Sequence, residues 1–468
     1  MAETVRGPAR RGRGLRCGLL MTALASAAAA LPLPMTVAAQ PSGAGAAPDR
    51  SVMPVVLPPL PRDAAAALPD SVDREALLRL LRSRSPALAA ERHQIDVSRA
   101  DELSARAWPN PVVAFDTRRG ERNVSVSQPL LLSGQRQARE AAARGGTAAA
   151  VEGVRAGYAE LAGQGVALLL QLQASQQRQR QWSEALSDLD RLYAIVAGQV
   201  EAGARSRYDL HRMSVERAAL ASQLGTLAGE AADLGGRLGA LLGVPEWRPS
   251  AAGEFRPQAL APDWRAVWAG SRDRLPALRA AQAQELAARS RIEAVRKDYL
   301  PVPAISLGQQ TVANEHRSTV IGLSLNLPLF DRGEGPIARA QAEATLAAAR
   351  REQAERAAQA ELQRSYEVLR LRIDALNAYE RDVLSQLPRL REMAEDAYRF
   401  GKGTVLELID VARSVAERRI QHIDAIEQAL LAENDFAAAR GVYQIEPDQI
   451  ELDGIGRPRA SEAADLRQ

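Results

Sequence analysis

The chain has 468 residues, enough for two or three domains and more than one ordinary compact core accommodates. Aromatic residues make up only 4%, with 5 Phe and 5 Trp, and Ala, Leu, Gln, Arg and Glu dominate; this is the composition of long helices or coiled coils, not of a large globular core. The 60 basic and 57 acidic residues nearly cancel to +3, and no basic patch outside the N-terminus is concentrated enough to hold nucleic acid.

The N-terminus reads as an address. Arg6, Arg10, Arg11, Arg13 and Arg16 are basic, residues 18–33 are apolar or small, and Val37-Ala38-Ala39 fits a small-residue cleavage site. Residues 1–39 therefore read as a secretory signal peptide, with a mature start near Gln40. The apolar segment is short and broken by Pro32 and Pro34, which argues against a transmembrane anchor. The only cysteine, Cys17, precedes the apolar stretch and would leave with the signal, so neither a lipid anchor nor a disulfide is expected. Residues 40–70, rich in Pro, Ala and Gly, read as an extended segment.

Beyond residue 70 the sequence repeats itself. Ser85-Pro86-Ala87-Leu88 matches Leu275-Pro276-Ala277-Leu278, and Trp108-Pro109-Asn110-Pro111 matches Leu300-Pro301-Val302-Pro303. Gln128-Pro129-Leu130 matches Leu327-Pro328-Leu329, and Gly203 with Asp209-Leu210 matches Gly401 with Glu407-Leu408. A period this long is a duplicated structural half, not a solenoid unit. The halves are 71–250 and 251–441, each written as helix, two short strands, very long helix, tight turn and returning helix. The polar tail, 442–468, carries no periodicity and is assigned no role.

The spacing predicts strands at 111–119 and 121–129 in the first half and at 303–312 and 318–327 in the second. Prolines bracket both pairs. Thr319, Ile321, Leu323, Leu325 and Leu327 alternate with Ser318, Gly322, Ser324 and Asn326. Nine to ten residues is about the length a tilted strand needs to cross a bilayer. Four strands alone leave unpaired edges, which lipid cannot satisfy, so an oligomer is implied.

The long segments carry heptad seams. Leu362, Tyr366, Leu369, Ile373, Leu376, Val383, Leu387, Leu390, Ala394 and Ala397 step by three and four with one polar position, Glu380. Leu210, Met213, Arg217, Leu220, Leu224, Leu227, Ala231, Leu234 and Leu238 do the same. A sustained 3.5-residue period predicts left-handed coiled-coil packing. Helices are expected over 135–198 and 335–399, the second kinked at Pro388.

Two tight turns end these helices, Glu201–Leu210 and Tyr398–Leu408. Gly ends one helix and Ser206 or Thr404 caps the next, with Asp209 and Glu407 three residues on in a capping-box pattern. His93, His211, His316 and His422 are far apart and lack partners at ligand spacing, so no metal site is expected. No nucleophile set or phosphate loop stands out, and the chain reads as a non-enzyme without a cofactor.

These residues resemble the TolC-type outer membrane factor family over about 70–441. Residues 321–333 (Ile321-Gly322-Leu323-Ser324-Leu325-Asn326-Leu327-Pro328-Leu329-Phe330-Asp331-Arg332-Gly333), with Gln128-Pro129-Leu130 and Ser133-Gly134-Gln135-Arg136, look most like its cobalt–zinc–cadmium branch. The resemblance implies a mainly α fold with a small β part: a long α-helical coiled-coil barrel plus four transmembrane strands per protomer, twelve in a homotrimer. It implies an outer membrane location, a long periplasmic extension, and partners in a periplasmic membrane-fusion adaptor and an inner-membrane pump of the resistance–nodulation–division (RND) class. The role implied is passive export, here of divalent heavy-metal cations, with drug or solute efflux and type I secretion as alternatives. A periplasmic coiled-coil scaffold is the rival from another class, disfavoured because strands interrupt the helices twice at matching places.

In that family the tight turns form the periplasmic tip that the adaptor grips. The residues carried over are Gly203, Ser206, Tyr208, Asp209, Leu210, Gly401, Gly403, Thr404, Leu406, Glu407 and Leu408. A gate would need like charges from several subunits, and Asp209, Glu407 and Asp410 are the acids at the tips. Arg205, Arg207 and Arg399 are the cations placed to latch them.

Overall fold

The computed structural model describes residues 68–118, 121–258, 263–312, 317–446 and 450. The signal peptide, nearly all of the Pro/Ala-rich segment, His316 and most of the C-terminal tail lie outside the described residues.

The chain enters through a short strand β1 (Ser71–Val72) and two helices, α1 (Arg74–Arg84) and α2 (Pro86–Arg106). Asp73 caps α1 by accepting from the Ala76 amide at 2.7 Å. Pro86 opens α2, where its missing N–H costs nothing. A hairpin follows, β2 (Val112–Arg118) and β3 (Glu121–Pro129), and then α3 (Gln135–Glu201). At 1.5 Å per residue α3 is about 100 Å long. It turns into α4 (Arg207–Leu241), which leads to β4 (Ser250–Ala251).

The second half repeats this plan. It runs through α5 (Trp264–Ser271), α6 (Pro276–Asp298, again opened by proline), and a hairpin of β5 (Val302–Val312) and β6 (Ser318–Asn326). It then runs through α7 (Glu334–Asp382), α8 (Leu387–Arg399) and α9 (Val405–Ala439). The single helix expected over 335–399 is broken. A 3-10 turn at Leu384–Gln386 separates α7 from α8, and Pro388 sits in the first turn of α8. A proline there has no N–H to donate and collides with the carbonyl of Leu384, so the α-helical ladder restarts instead of bending.

The hairpins form one antiparallel sheet in the order β2-β3-β5-β6. Val113, Phe115, Val124, Val126, Ile305, Leu307, Ile321, Leu323 and Leu325 fall on one face, as the cross-strand pairs Phe115–Val124, Val126–Leu307 and Ile305–Leu323 require. Ser125, Ser127, Ser306 and Ser324 fall on the other. In the single chain the apolar face is largely open, with Phe115 at 76% and Leu323 at 77% exposure. An exposed apolar face of this size marks a surface that another partner, protein or lipid, covers. No helix among the described residues is long and apolar enough to cross a membrane.

In each hairpin the cross-strand pairs set apolar side chains opposite one another, Val113–Val126 and Phe115–Val124 in the first, Ile305–Leu323 and Leu307–Ile321 in the second. A tight turn follows each, the Leu132 amide bonding the Leu130 carbonyl at 3.0 Å and the Leu329 amide the Leu327 carbonyl at 2.9 Å.

Helix α3 packs against α2, α6, α4 and α9, while α6 lies between α3 and α7. In α4 the buried seam is Met213, Leu220, Leu227 and Leu234, one residue in seven. The alternate seam positions Leu210, Arg217, Leu224 and Ala231 are only half-buried. The physical reason is that α4 has one extensive neighbour, α3.

The largest core lies at mid-length of α3. Leu77, Leu81, Leu88, Val154, Tyr158, Leu169, Leu172 and Leu238 close around it. β1 and β4 pair in parallel, and the Trp247 indole donates to the Pro69 carbonyl at 3.0 Å. Arg74 donates to the Tyr443 hydroxyl (2.5 Å), Tyr443 donates to Asn434 (2.5 Å), and Asn434 to the Gly163 carbonyl (3.1 Å). This chain ties both ends of the described segment to α3 and α9. Burial pushes the Tyr443 phenol up, which keeps it protonated as a donor.

Candidate functional site

The two tight turns are the candidate site, and the fold sets them side by side at the end of α3 farthest from the sheet. In the first, Gly203 has φ 73° and its amide bonds the Val200 carbonyl at 3.0 Å. In the second, Gly401 has φ 69°, with Gly401 N–H to the Tyr398 carbonyl at 3.1 Å and Lys402 N–H to the Ala397 carbonyl at 2.9 Å. A left-handed residue here lets the chain reverse while satisfying the last helical carbonyls, and glycine adopts it without a Cβ penalty.

The caps differ. Thr404 and Glu407 form a full capping box: Glu407 N–H donates to Thr404 Oγ1 at 3.2 Å and Thr404 N–H to Glu407 Oε2 at 2.9 Å. Ser206 accepts only from the Tyr208 amide, at 3.0 Å, and no reciprocal bond from Asp209 completes a box. Asp209 instead sits in the first turn of α4, where a carboxylate favours the helix N-terminus.

Beneath the turns lies a small apolar core of Leu189, Val196, Met213, Leu220, Val405 and Ile409. Polar links tie the second-half hairpin to α3 around it. The Tyr398 hydroxyl donates to Gln199 Oε1 at 2.8 Å, and Arg205 lies 5.1 Å over the Tyr398 ring. Arg391 of α8 pairs with Asp188 of α3 at 2.8 Å, and Arg413 of α9 approaches Glu216 of α4 at 3.5 Å.

The expected contact residues divide. Tyr208 (71% exposed) and Leu406 project into solvent, as do Gly203, Ser206, Gly401, Thr404 and Glu407. Gly403, Asp209 and Leu210 are half-buried. Leu408 is a correction: it is 5% exposed and turns inward, so its side chain supports the tip from below and is not on offer to a partner. Of the acids considered for a gate, Glu407 is occupied by the capping box and Asp410 is exposed one helical turn on. Of the latch cations, Arg205 stacks on Tyr398 and Arg399 pairs with Asp396 at 3.5 Å, so neither latches one of the three acids.

Two polar nodes were not anticipated. Arg178 of α3 reaches Asp424 (2.9 Å) and Glu427 (2.6 Å) of α9 and Glu230 (3.3 Å) of α4. Burial works against the Arg178 charge, but the carboxylates around it hold its pKa above the ordinary value. Burial pushes the Glu427 carboxyl up; Arg178 opposes this, but Asp424 and Glu230 crowd the same guanidinium. Higher up, Glu380 joins His422 of α9 and Arg256, each at 3.0 Å, while Tyr379 stacks on His422. The polar break in the seam at Glu380 was the sequence signal for this second node. The first had none, because its members come from three helices. Among the described residues no group of three or more His, Cys, Asp or Glu side chains could hold a metal ion.

Four exposed strands lie at one end of the helical hairpins and the paired tight turns at the other. Residues 271–442 match the family described as Outer membrane efflux protein. The fold is similar to that of several solved channels. CusC is similar with 18% identity and a TM-score of 0.66, over 79% of this chain and 92% of that one. The Neisseria gonorrhoeae MtrE outer membrane channel shares 18% identity with a TM-score of 0.64, over 79% and 88%. The Campylobacter jejuni CmeC outer membrane channel shares 13% with a TM-score of 0.64, over 84% and 88%. No curated protein matches the chain in sequence.

Proposed function

We propose that the chain is the outer membrane channel subunit of a tripartite efflux system: a passive conduit that docks through its turns to a periplasmic adaptor and an RND-type pump. The observation that carries the reading is the sheet. Its apolar face is continuous across all four strands, and both its edges are free among the described residues. Lipid can cover that face, and further copies can close the edges. Three copies would bring twelve strands together, the number the family resemblance implies. The Outer membrane efflux protein match over residues 271–442 supports the same role.

For cargo we propose divalent heavy-metal cations. This rests on the resemblance of residues 321–333. The conduit needs no metal site for it, since choice of cargo would lie with pump and adaptor. The test of the channel reading is fractionation followed by planar-bilayer recording. The protein should stay with outer membranes after carbonate washing and conduct when reconstituted; recovery in the soluble periplasmic fraction would refute it. For cargo, a strain lacking only this gene should lose tolerance to one or more of zinc, cobalt, cadmium, nickel and copper. Lost tolerance to lipophilic drugs alone would keep the channel and reject the metal.

A further inference from the structure

Helix α3 starts without an anion of its own. β3 ends at Pro129 and α3 opens at Gln135, with Gly134 as N-cap at φ 76° and no side chain bonded to the first-turn amides. The first turn holds no acidic residue. The amides of Gln135, Arg136 and Gln137 therefore lack an acceptor among the described residues. The partial positive charge at this end of the helix is left unbalanced. At the start of α7 the chain supplies its own carboxylates: the Gly333 amide donates to Asp331 at 2.9 Å, and Glu334 lies in the first turn.

Side chains turn this helix end into a site. Gln135 is 1% exposed and folds back on the loop before the helix, where its Oε1 accepts from the Ser133 amide at 3.0 Å. That bond fixes which end of the amide is oxygen, and it leaves Nε2 as a buried donor with no partner. Lys297, in the last turn of α6, is half-buried, and its Nζ lies 3.1 Å from where a Cβ on Gly134 would sit. The carboxylates nearest in sequence are taken: Asp298 pairs with Arg139 at 2.7 Å, and Glu140 pairs with Arg106 at 3.1 Å and with Arg144. Arg136 adds a second cation, 5.6 Å over the Trp108 ring. Neither Lys297 nor Arg136 has a carboxylate partner among the described residues.

We propose that the N-terminus of α3 binds one phosphate-ester anion, and that this anion is the headgroup of an anionic phospholipid. Its oxygens accept from the amides of residues 135–137 and from Gln135 Nε2, while Lys297 and Arg136 balance its charge. The lipid source rests on the channel reading. If the strands cross the bilayer, a helix that opens just past the end of β3 begins at the bilayer surface. The apolar surroundings favour the same source. Leu132, two residues before the cap, is 70% exposed, and Trp108 beneath Arg136 and Leu300 just past α6 are exposed as well. Acyl chains cover such a surface, and a free phosphate leaves it bare.

Lys297 and Lys402 are the only lysines in the chain, and Lys402 lies in the far tip turn, so one serves as probe and the other as control. Acylation of each by an amine-reactive ester is followed by mass spectrometry on the protein purified from outer membranes in detergent. Short-chain phosphatidylglycerol should slow acylation of Lys297 roughly tenfold, the scale of a charge-assisted hydrogen bond, and leave Lys402 unchanged. Inorganic phosphate and short-chain phosphatidylcholine at the same concentration should protect neither. Gln135→Met should abolish the protection. Because that position is buried, Arg136→Gln at a half-buried one is measured beside it and should weaken phosphatidylglycerol binding roughly fivefold. Protection by inorganic phosphate as strong as by the lipid would keep the anion site and overturn the lipid source. No protection by either, in protein that conducts in planar bilayers, would overturn the site while leaving the channel reading intact. Equal slowing at Lys402 would overturn it too, as a surface effect with no site behind it.

Discussion

The link from Tyr398 to Gln199 joins the second-half hairpin to α3 at the tip, and Tyr398→Phe removes it with little else. The ring stays, and with it the packing against the small tip core and the Arg205 stack. What goes is one neutral hydrogen bond of 2.8 Å between half-buried groups. Such a bond contributes about 1 kcal/mol net, which is roughly a fivefold change in an opening equilibrium. Tyr398→Ala removes the ring as well and should cost about 2–3 kcal/mol, the transfer free energy of a partly buried aromatic. Native-state hydrogen exchange on the purified protein reads the effect locally. Amides of residues 398–409 should exchange roughly fivefold faster in Tyr398→Phe, while those of α7 between 362 and 376 stay at wild-type rates. Equal exchange in both regions, or none changed at the tip, would refute the view that this bond holds the two turns together.

Other expectations follow from single contacts. Thr404→Ala removes one half of the capping box and should destabilise the start of α9 by about 1 kcal/mol, read as faster exchange of the Glu407 and Leu408 amides; unchanged rates would mean the box is idle. In α4, a Cβ on Gly239 would come within 2.2 Å of the Val244 carbonyl oxygen, whereas one on Gly229 meets nothing within 4 Å. Gly239→Ala should therefore lower the melting temperature by a cost of about 1–3 kcal/mol, and Gly229→Ala should raise it by about 0.5–1 kcal/mol; the reverse order would show that the turn after α4 gives way freely. Glu427 has a folded pKa above its ordinary value, so between the two the folded chain holds a proton that the unfolded chain has released. Its contribution to stability is present below the ordinary carboxylate range and declines as pH rises through the raised value. Denaturant titrations should show wild type losing ground to Glu427→Gln over that window; a constant difference would refute the assignment.

Much of the architecture was legible because it is written in local, repeated patterns. Strand positions came within two residues, since alternation and flanking prolines act over a few neighbouring positions. The long helices and their seams came from the 3.5-residue period, which needs no knowledge of the partner helix. The tight turns came from glycine and a capping residue at fixed spacing. The break at Leu384–Gln386 was visible as Pro388, though not as an interruption, because whether a helix bends or restarts depends on what packs against it.

Tertiary structure alone decided the rest. Leu408 and Leu406 are two residues apart in the same turn, and only packing against α3 sends one inward and leaves the other in solvent. The capping-box pattern is present twice in the sequence and completed once. Arg178, Glu230, Asp424 and Glu427 form one node although 249 residues separate Arg178 from Glu427. A charge has no periodicity to announce which distant helix will face it. The order β2-β3-β5-β6 belongs to the same class: each hairpin is a local event, but the joining of the halves is a long-range choice. That choice also decides that β2 and β6 form the two edges of the sheet.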